Sequence, residues 1–156
     1  MTKPAARAAT AVPARTGTGY PEPFRAAVQG REYRALGDAF GLTSFGVNLV
    51  RLPPGTASSQ RHWHSAEDEF VYMLEGEGVL VTDAGEEPLL PGMCAGFPAG
   101  RPDGHHILNR SDRDLVFLVV GDRKDGTDAC AYPDIDLAGR WAGGAWTYFH
   151  KDGRRW

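Results

Sequence analysis

From Tyr20 onward the chain is written in short apolar runs. "FGVNLVRL" at 45–52, "EFVYMLEG" at 69–76, "GVLVTD" at 78–83 and "LVFLVV" at 115–120 are each bounded by Gly, Pro or Asp, which predicts strands. Turn signals stand between them: "PPG" at 53–55, "DAG" at 83–85, "PG" at 91–92 and "SDRD" at 111–114. No window sustains a helical period, so many short strands with regular turns predict an all-β sandwich or barrel. Residues 1–19 differ in texture: they are rich in Ala, Pro, Thr and Gly, carry no acid, and have only small apolar side chains to bury. They are expected to form a mobile tail, leaving 20–156 as the folded unit. The C-terminal stretch holds Trp141, Trp146, Tyr148, Phe149 and Trp156, and so many aromatics predict that it folds back onto the barrel.

Composition narrows the function. At 156 residues the chain fits one domain. Its formal charge of −3 gives no positive field for phosphate backbones, which argues against nucleic acid as a partner. No run reaches the roughly 18 apolar residues of a membrane span, and the N-terminus lacks the apolar core of a secretion signal, so a cytoplasmic protein without a membrane partner is expected. Cys94 and Cys130 form no C-x-x-C pattern and are expected to be free thiols.

The chemistry gathers in "RHWHSAEDEF" at 61–70. Strand alternation puts His62 and His64 on one face, with Gln60 beside them and Trp63 on the other. Two imidazoles on one face are a ready pair of metal ligands. On the next strand Glu69, Val71 and Met73 share a face and Tyr72 points away. A carboxylate heading an apolar inward face is costly unless a charge meets it, and a divalent cation would. A third imidazole comes from His105 or His106, of which alternation lets only one face inward. Glu67 and Asp68 read as a solvated loop.

The spacing of these residues resembles the two motifs of the cupin superfamily. The first is Gly55, His62-Trp63-His64, four residues to Glu69 and six to Gly76, with one extra residue between Gly55 and His62. The second is Gly92, Pro98-Ala99-Gly100, His105 and Asn109, with two extra residues before the histidine. The three-residue gap to Asn109 selects His105 and leaves His106 on the outer face. The resemblance covers residues 45–121, with 122–156 as an aromatic extension packed on the barrel. It implies a single-domain cupin jelly-roll β-barrel in which His62, His64, Glu69 and His105 hold one divalent transition metal: Fe, Mn, Zn, Ni or Co. With open positions on such an ion, the implied function is an enzyme on a small oxygen-rich organic molecule. It would be a dioxygenase with iron and an isomerase, decarboxylase or lyase otherwise. The alternative is a non-catalytic cupin that binds or senses a sugar-like molecule. Gln60 and Met73 are the candidates to contact substrate or support the ligands. A homodimer, common among cupins, is compatible with an exposed barrel edge and the aromatic tail.

Overall fold

The computed structural model describes residues 5–124 and 126–156. Its strands are β1 (Arg15–Thr16), β2 (Glu32–Ala35), β3 (Phe45–Leu52), β4 (Trp63–His64), β5 (Glu69–Glu75), β6 (Gly78–Thr82), β7 (Gly85–Leu89), β8 (Cys94–Phe97), β9 (His106–Leu108), β10 (Leu115–Asp122), β11 (Ala129–Tyr132), β12 (Leu137–Ala142) and β13 (Ala145–Phe149). They pair antiparallel in a six-stranded sheet β1-β2-β3-β10-β5-β8, a four-stranded sheet β13-β12-β11-β4 and a three-stranded sheet β7-β6-β9. The six-stranded sheet forms one wall of a jelly roll and the two smaller sheets the other. A bridge between His62 and His105 joins the smaller sheets.

The long apolar runs become the centre of the large sheet, where alternation sorts them into an inner and an outer face. Phe117 on β10 pairs with Val50 on β3 and with Met73 on β5, so three inward side chains meet at one level. Together with Leu52, Val71, Leu80, Leu89, Ile107 and Leu115 they form the buried core between the walls. Each such side chain contributes on the order of 1.5–3 kcal/mol. Phe70, Tyr72 and Leu74 alternate with the core residues of β5 and stay exposed on its outer face.

Gly76 ends β5 with φ +80°, and a Cβ there would collide with the carbonyl oxygen of Asp114. That is why the turn after β5 takes glycine. Asn109 is buried at the far end of β9. It donates to the carbonyls of Leu52 (2.8 Å) and Arg113 (2.7 Å) and accepts from Ser111 N–H and hydroxyl (3.1 and 2.8 Å). It thereby locks the second motif to the large sheet.

Two features depart from the sequence-based picture. The expected tail is ordered on the barrel through its described part: β1 extends the large sheet by pairing with β2, and Val12 is buried. Backbone pairing of β1 with β2, the Arg34 side chain on the Val12 carbonyl and an Arg15–Asp38 ion pair hold it, so its small apolar side chains gave no sign of the attachment. Residues 1–4 lie outside the described residues. The second departure is α1 (Leu36–Phe40), one short turn of helix closed by Gly41 at φ +77° and too brief for a periodic signal.

Of the C-terminal aromatics, Trp146 and Tyr148 pack against a second cluster in which Tyr20, Val28, Cys130, Tyr132 and Leu137 are buried. This segment supplies most of the sheet that carries His64, through pairing of Cys130 with His64. No helix among the described residues is long and apolar enough to cross a membrane.

Candidate metal centre and cavity

Between the walls opens a cavity of about 420 Å³. Four groups meet at its base. His62 precedes β4 and bridges to His105, so the two rings lie 4.9 Å apart between centroids, while β4 itself carries His64. Glu69 begins β5 on the opposite wall. His62 Nε2 lies 3.2 Å from His64 Nε2, His64 Nε2 lies 3.5 Å from Glu69 Oε2, and His105 Nε2 lies 3.4 Å from Glu69 Oε1. The ring of each histidine is set differently. His62 Nδ1 faces the Gln60 carbonyl at 2.9 Å, His64 Nδ1 lies 2.6 Å from Asp128 Oδ2, and His105 stacks on Phe97 with centroids 3.5 Å apart. His105 Nδ1 is buried without a hydrogen-bond partner.

This arrangement fits a shared cation. With the Nδ1 protons of His62 and His64 directed outward at Gln60 and Asp128, both Nε2 lone pairs turn inward toward each other and toward a carboxylate. Lone pairs 3.2 Å apart repel unless a positive charge lies between them. Ligand atoms bound about 2.0–2.2 Å from one ion stand about 3.0–3.5 Å from each other, the spacing found here between His62 and His64, His64 and Glu69, and Glu69 and His105. Three imidazoles and a carboxylate, without thiolate, suit a first-row divalent metal.

Electrostatics reinforce the division of roles. Burial pushes the His62 pKa down to about 4, against the opposing pull of Glu69, so its ring stays neutral and its lone pair free. Burial also opposes charge on His64, but the hydrogen bonds to Asp128, Cys130 and Glu69 outweigh it and push its pKa up to about 12. In the metal-free chain a proton on His64 thus takes the place of the cation. Glu69 is held well below the usual carboxylate range: its burial favours the neutral acid, but His105 and His64 overcome that.

The four expected ligands His62, His64, Glu69 and His105 all line the cavity, where His62, Glu69 and His105 form one group with ligand atoms within 4.8 Å of one another and His62, His64 and Cys130 form a second. His106 lies on the other side of its strand, with Nδ1 3.0 Å from the Ser59 carbonyl. The two supporting candidates are corrected. The Gln60 side chain donates to the Phe24 carbonyl at 2.9 Å, leaving only its backbone oxygen to serve His62. Met73 is fully buried in the core and does not line the cavity, because the inward face of β5 passes from site to core within one turn of alternation.

Asp128 and Arg31 went unnoticed in the sequence, and Cys130, Tyr20 and Tyr148 were not read as part of the site. Asp128 has a fully buried side chain, which accepts from His64 Nδ1 and from Ala66 N–H at 3.0 Å. Cys130 Sγ lies 3.4 Å from the same ring nitrogen, and burial raises its pKa so that it stays a thiol. The alternation Asp128, Cys130, Tyr132 in "TDACAY" was the available signal, lying beyond the last run read as a strand. Tyr20 and Tyr148 also line the cavity. Burial raises both phenols, with the charge of Arg31 acting against it, so both hold their protons. Arg61, with Asp134 at 2.7 Å, Asp83 and the Gly104 carbonyl at 3.0 Å, ties the loops that carry His62 and His105.

A jelly roll with two histidine-bearing motifs facing one carboxylate across the barrel is the architecture of the cupins, and this chain belongs to the cupin superfamily. The Cupin domain family matches residues 48–121. A solved cupin-superfamily sugar phosphate isomerase from Silicibacter pomeroyi is 47% identical, with a TM-score of 0.90 over 94% of this chain and 93% of that one. A protein of Acidithiobacillus ferrooxidans, for which sugar phosphate isomerase activity is proposed, is 35% identical, with a TM-score of 0.73 over 81% and 80% of the two chains. The oxalate-binding protein of Thermotoga maritima is 37% identical over 71 residues, 46% of this chain. The match spans about half of that relative, 56% of its length.

Proposed function

We propose that this cupin is a metal-dependent isomerase acting on a phosphorylated sugar. The observation that carries it is the meeting of His62, His64, Glu69 and His105 at one end of the cavity, with the His62–His64, His64–Glu69 and Glu69–His105 ligand atoms 3.2–3.5 Å apart. The likeness to the Silicibacter pomeroyi protein over nearly the whole chain supports the choice of reaction. A divalent ion at the four ligands would supply Lewis acidity to a carbonyl or hydroxyl oxygen of the sugar.

The chain's own residues prepare the reaction. His62 is neutral and correctly turned by Gln60, and Asp128 holds His64 in place, so the ligand set is formed before substrate arrives. Val50, Val71, Phe117, Val119 and Ile107 line the cavity and keep bulk water from the reacting carbons. With Glu69 committed to the imidazoles, Tyr20 and Tyr148 are lining groups that hold a proton for a substrate oxygen.

A second reading, binding of oxalate without turnover, draws on the Thermotoga maritima relative. A cavity of about 420 Å³ falls in the range of small-molecule sites and is ample for a sugar phosphate, while oxalate would leave most of it empty. The test is to incubate the metal-reconstituted protein with a panel of pentose and hexose phosphates and follow aldose–ketose conversion by proton NMR. Conversion that stops on chelation supports the proposal. No conversion of any member, with saturable oxalate binding, favours the second reading.

A further inference from the structure

Arg31 is the one arginine or lysine among the residues that line the cavity, and Glu69 is the one carboxylate. Glu69 is engaged by His64 and His105, and no acidic side chain of the described residues forms an ion pair with Arg31. Of its guanidinium donors, Nη1 is bonded to the Ser58 carbonyl at 2.5 Å. Nε is buried with no partner. The guanidinium that lines the cavity is thus held by one backbone carbonyl and met by no carboxylate among the described residues, so its charge is left for a ligand anion. Arginine is also the side chain whose planar fork matches the oxygens of a phosphoryl or carboxylate group.

Its position relative to the ligands is fixed by one short segment. Ser58 takes the Arg31 bond through its carbonyl, and the next residue, Ser59, places its hydroxyl 3.2 Å from His62 Nδ1. The Ser59 carbonyl meets His106, beside His105. The same two-residue turn therefore registers the free cation against the imidazoles. Gly30, at φ +88°, reverses the chain just before Arg31 and lets it enter the cavity ahead of β2.

We infer that Arg31 binds the anionic end of the ligand, a phosphoryl or carboxylate oxyanion, while the polyhydroxylated or carbonyl end lies toward His62, His64, Glu69 and His105. The assignment rests on the isomerase proposal for the choice of phosphoryl over carboxylate, and on the cavity alone for the anion. Arg31 is then the residue that sets specificity for a charged sugar over a neutral one.

The test is calorimetric titration of metal-reconstituted wild type, Arg31→Gln and Arg31→Lys with ribose 5-phosphate, ribonate and ribose. Metal content and melting temperature are measured on each variant. Wild type is expected to bind ribose 5-phosphate at least tenfold more tightly than ribose. Arg31→Gln should lower that affinity about 10- to 100-fold, the worth of a charge-assisted contact, with ribose affinity and metal content unchanged. Arg31→Lys, which keeps the charge but not the fork, should retain part of the preference. If ribonate carries the preference and Arg31→Gln removes it, the anion role stands and the sugar phosphate proposal falls. The inference is overturned if wild type shows no preference for either anion, or if Arg31→Gln keeps the preference. Should Arg31→Gln fail to fold, an Arg31→Lys protein with undiminished preference for ribose 5-phosphate also overturns the fork geometry.

Discussion

Asp128 provides the sharpest test of how the site is built, because it touches no cavity surface and acts only through His64. Its carboxylate is fully buried, 2.6 Å from His64 Nδ1, and also accepts from Ala66 N–H. Replacing it with asparagine keeps the shape and removes the charge. A hydrogen bond to a charged group is worth about 1.5–3 kcal/mol, and loss of a carboxylate that orients a ligand histidine costs about 10- to 100-fold in metal affinity. The two figures agree, since tenfold is about 1.4 kcal/mol. Asp128→Asn is therefore expected to raise the metal dissociation constant 10- to 100-fold in competition with a chromophoric chelator. Asp128→Ala should do so at least as strongly, because it leaves the ring nitrogen with only the weakly accepting Cys130 sulfur at 3.4 Å. A dissociation constant within threefold of wild type for Asp128→Asn, in protein that melts normally, would refute the view that this carboxylate prepares His64.

Other expectations follow from the same geometry. Because His64 keeps its proton up to about pH 12 while His62, at about 4, carries none, metal uptake between about pH 6 and 9 must displace one proton from His64. Affinity should then rise about tenfold per pH unit over that range, and a pH-independent constant would contradict the proton on His64. Chelation should lower the melting temperature by about 5–10 °C at metal concentrations a hundredfold above the dissociation constant, since that excess is worth about 2.7 kcal/mol. The stripped chain should keep its strand circular dichroism, because the core around Phe117 is an apolar cluster whose burial does not require the ion; an unfolded apo-protein would count against this. Gly76→Ala should destabilise the fold by more than about 2 kcal/mol in urea unfolding, from its left-handed backbone and the collision with Asp114. A loss below about 0.5 kcal/mol would show that the turn relaxes freely.

The legible part of the molecule is the part governed by period and spacing. Runs such as 45–52 and 115–120 alternate or are apolar throughout, so their strand character and inner face are written in the residues themselves. The same alternation paired His62 with His64, and the gap to Asn109 separated His105 from His106. What escaped was set by the third dimension. Asp128 lies 64 residues from His64 and meets it only because β11 pairs with β4. β1 is two residues long, too short to show a strand period. Gln60 shares the face of His62 by alternation, but the Phe24 carbonyl is a better partner for its amide than the cavity is. Met73 shares the face of Glu69 yet sits deeper, where the walls close on Phe117. Face can be read from a sequence, whereas depth along a barrel cannot.

The central claim, that four side chains hold one ion, is tested most directly by elemental analysis of tag-free protein reconstituted with divalent metals and freed of excess. About one equivalent per chain in wild type, falling to near zero in His62→Ala together with His105→Ala, is the predicted result. A wild-type chain that retains no stoichiometric metal, or a double variant that still binds one, would contradict it.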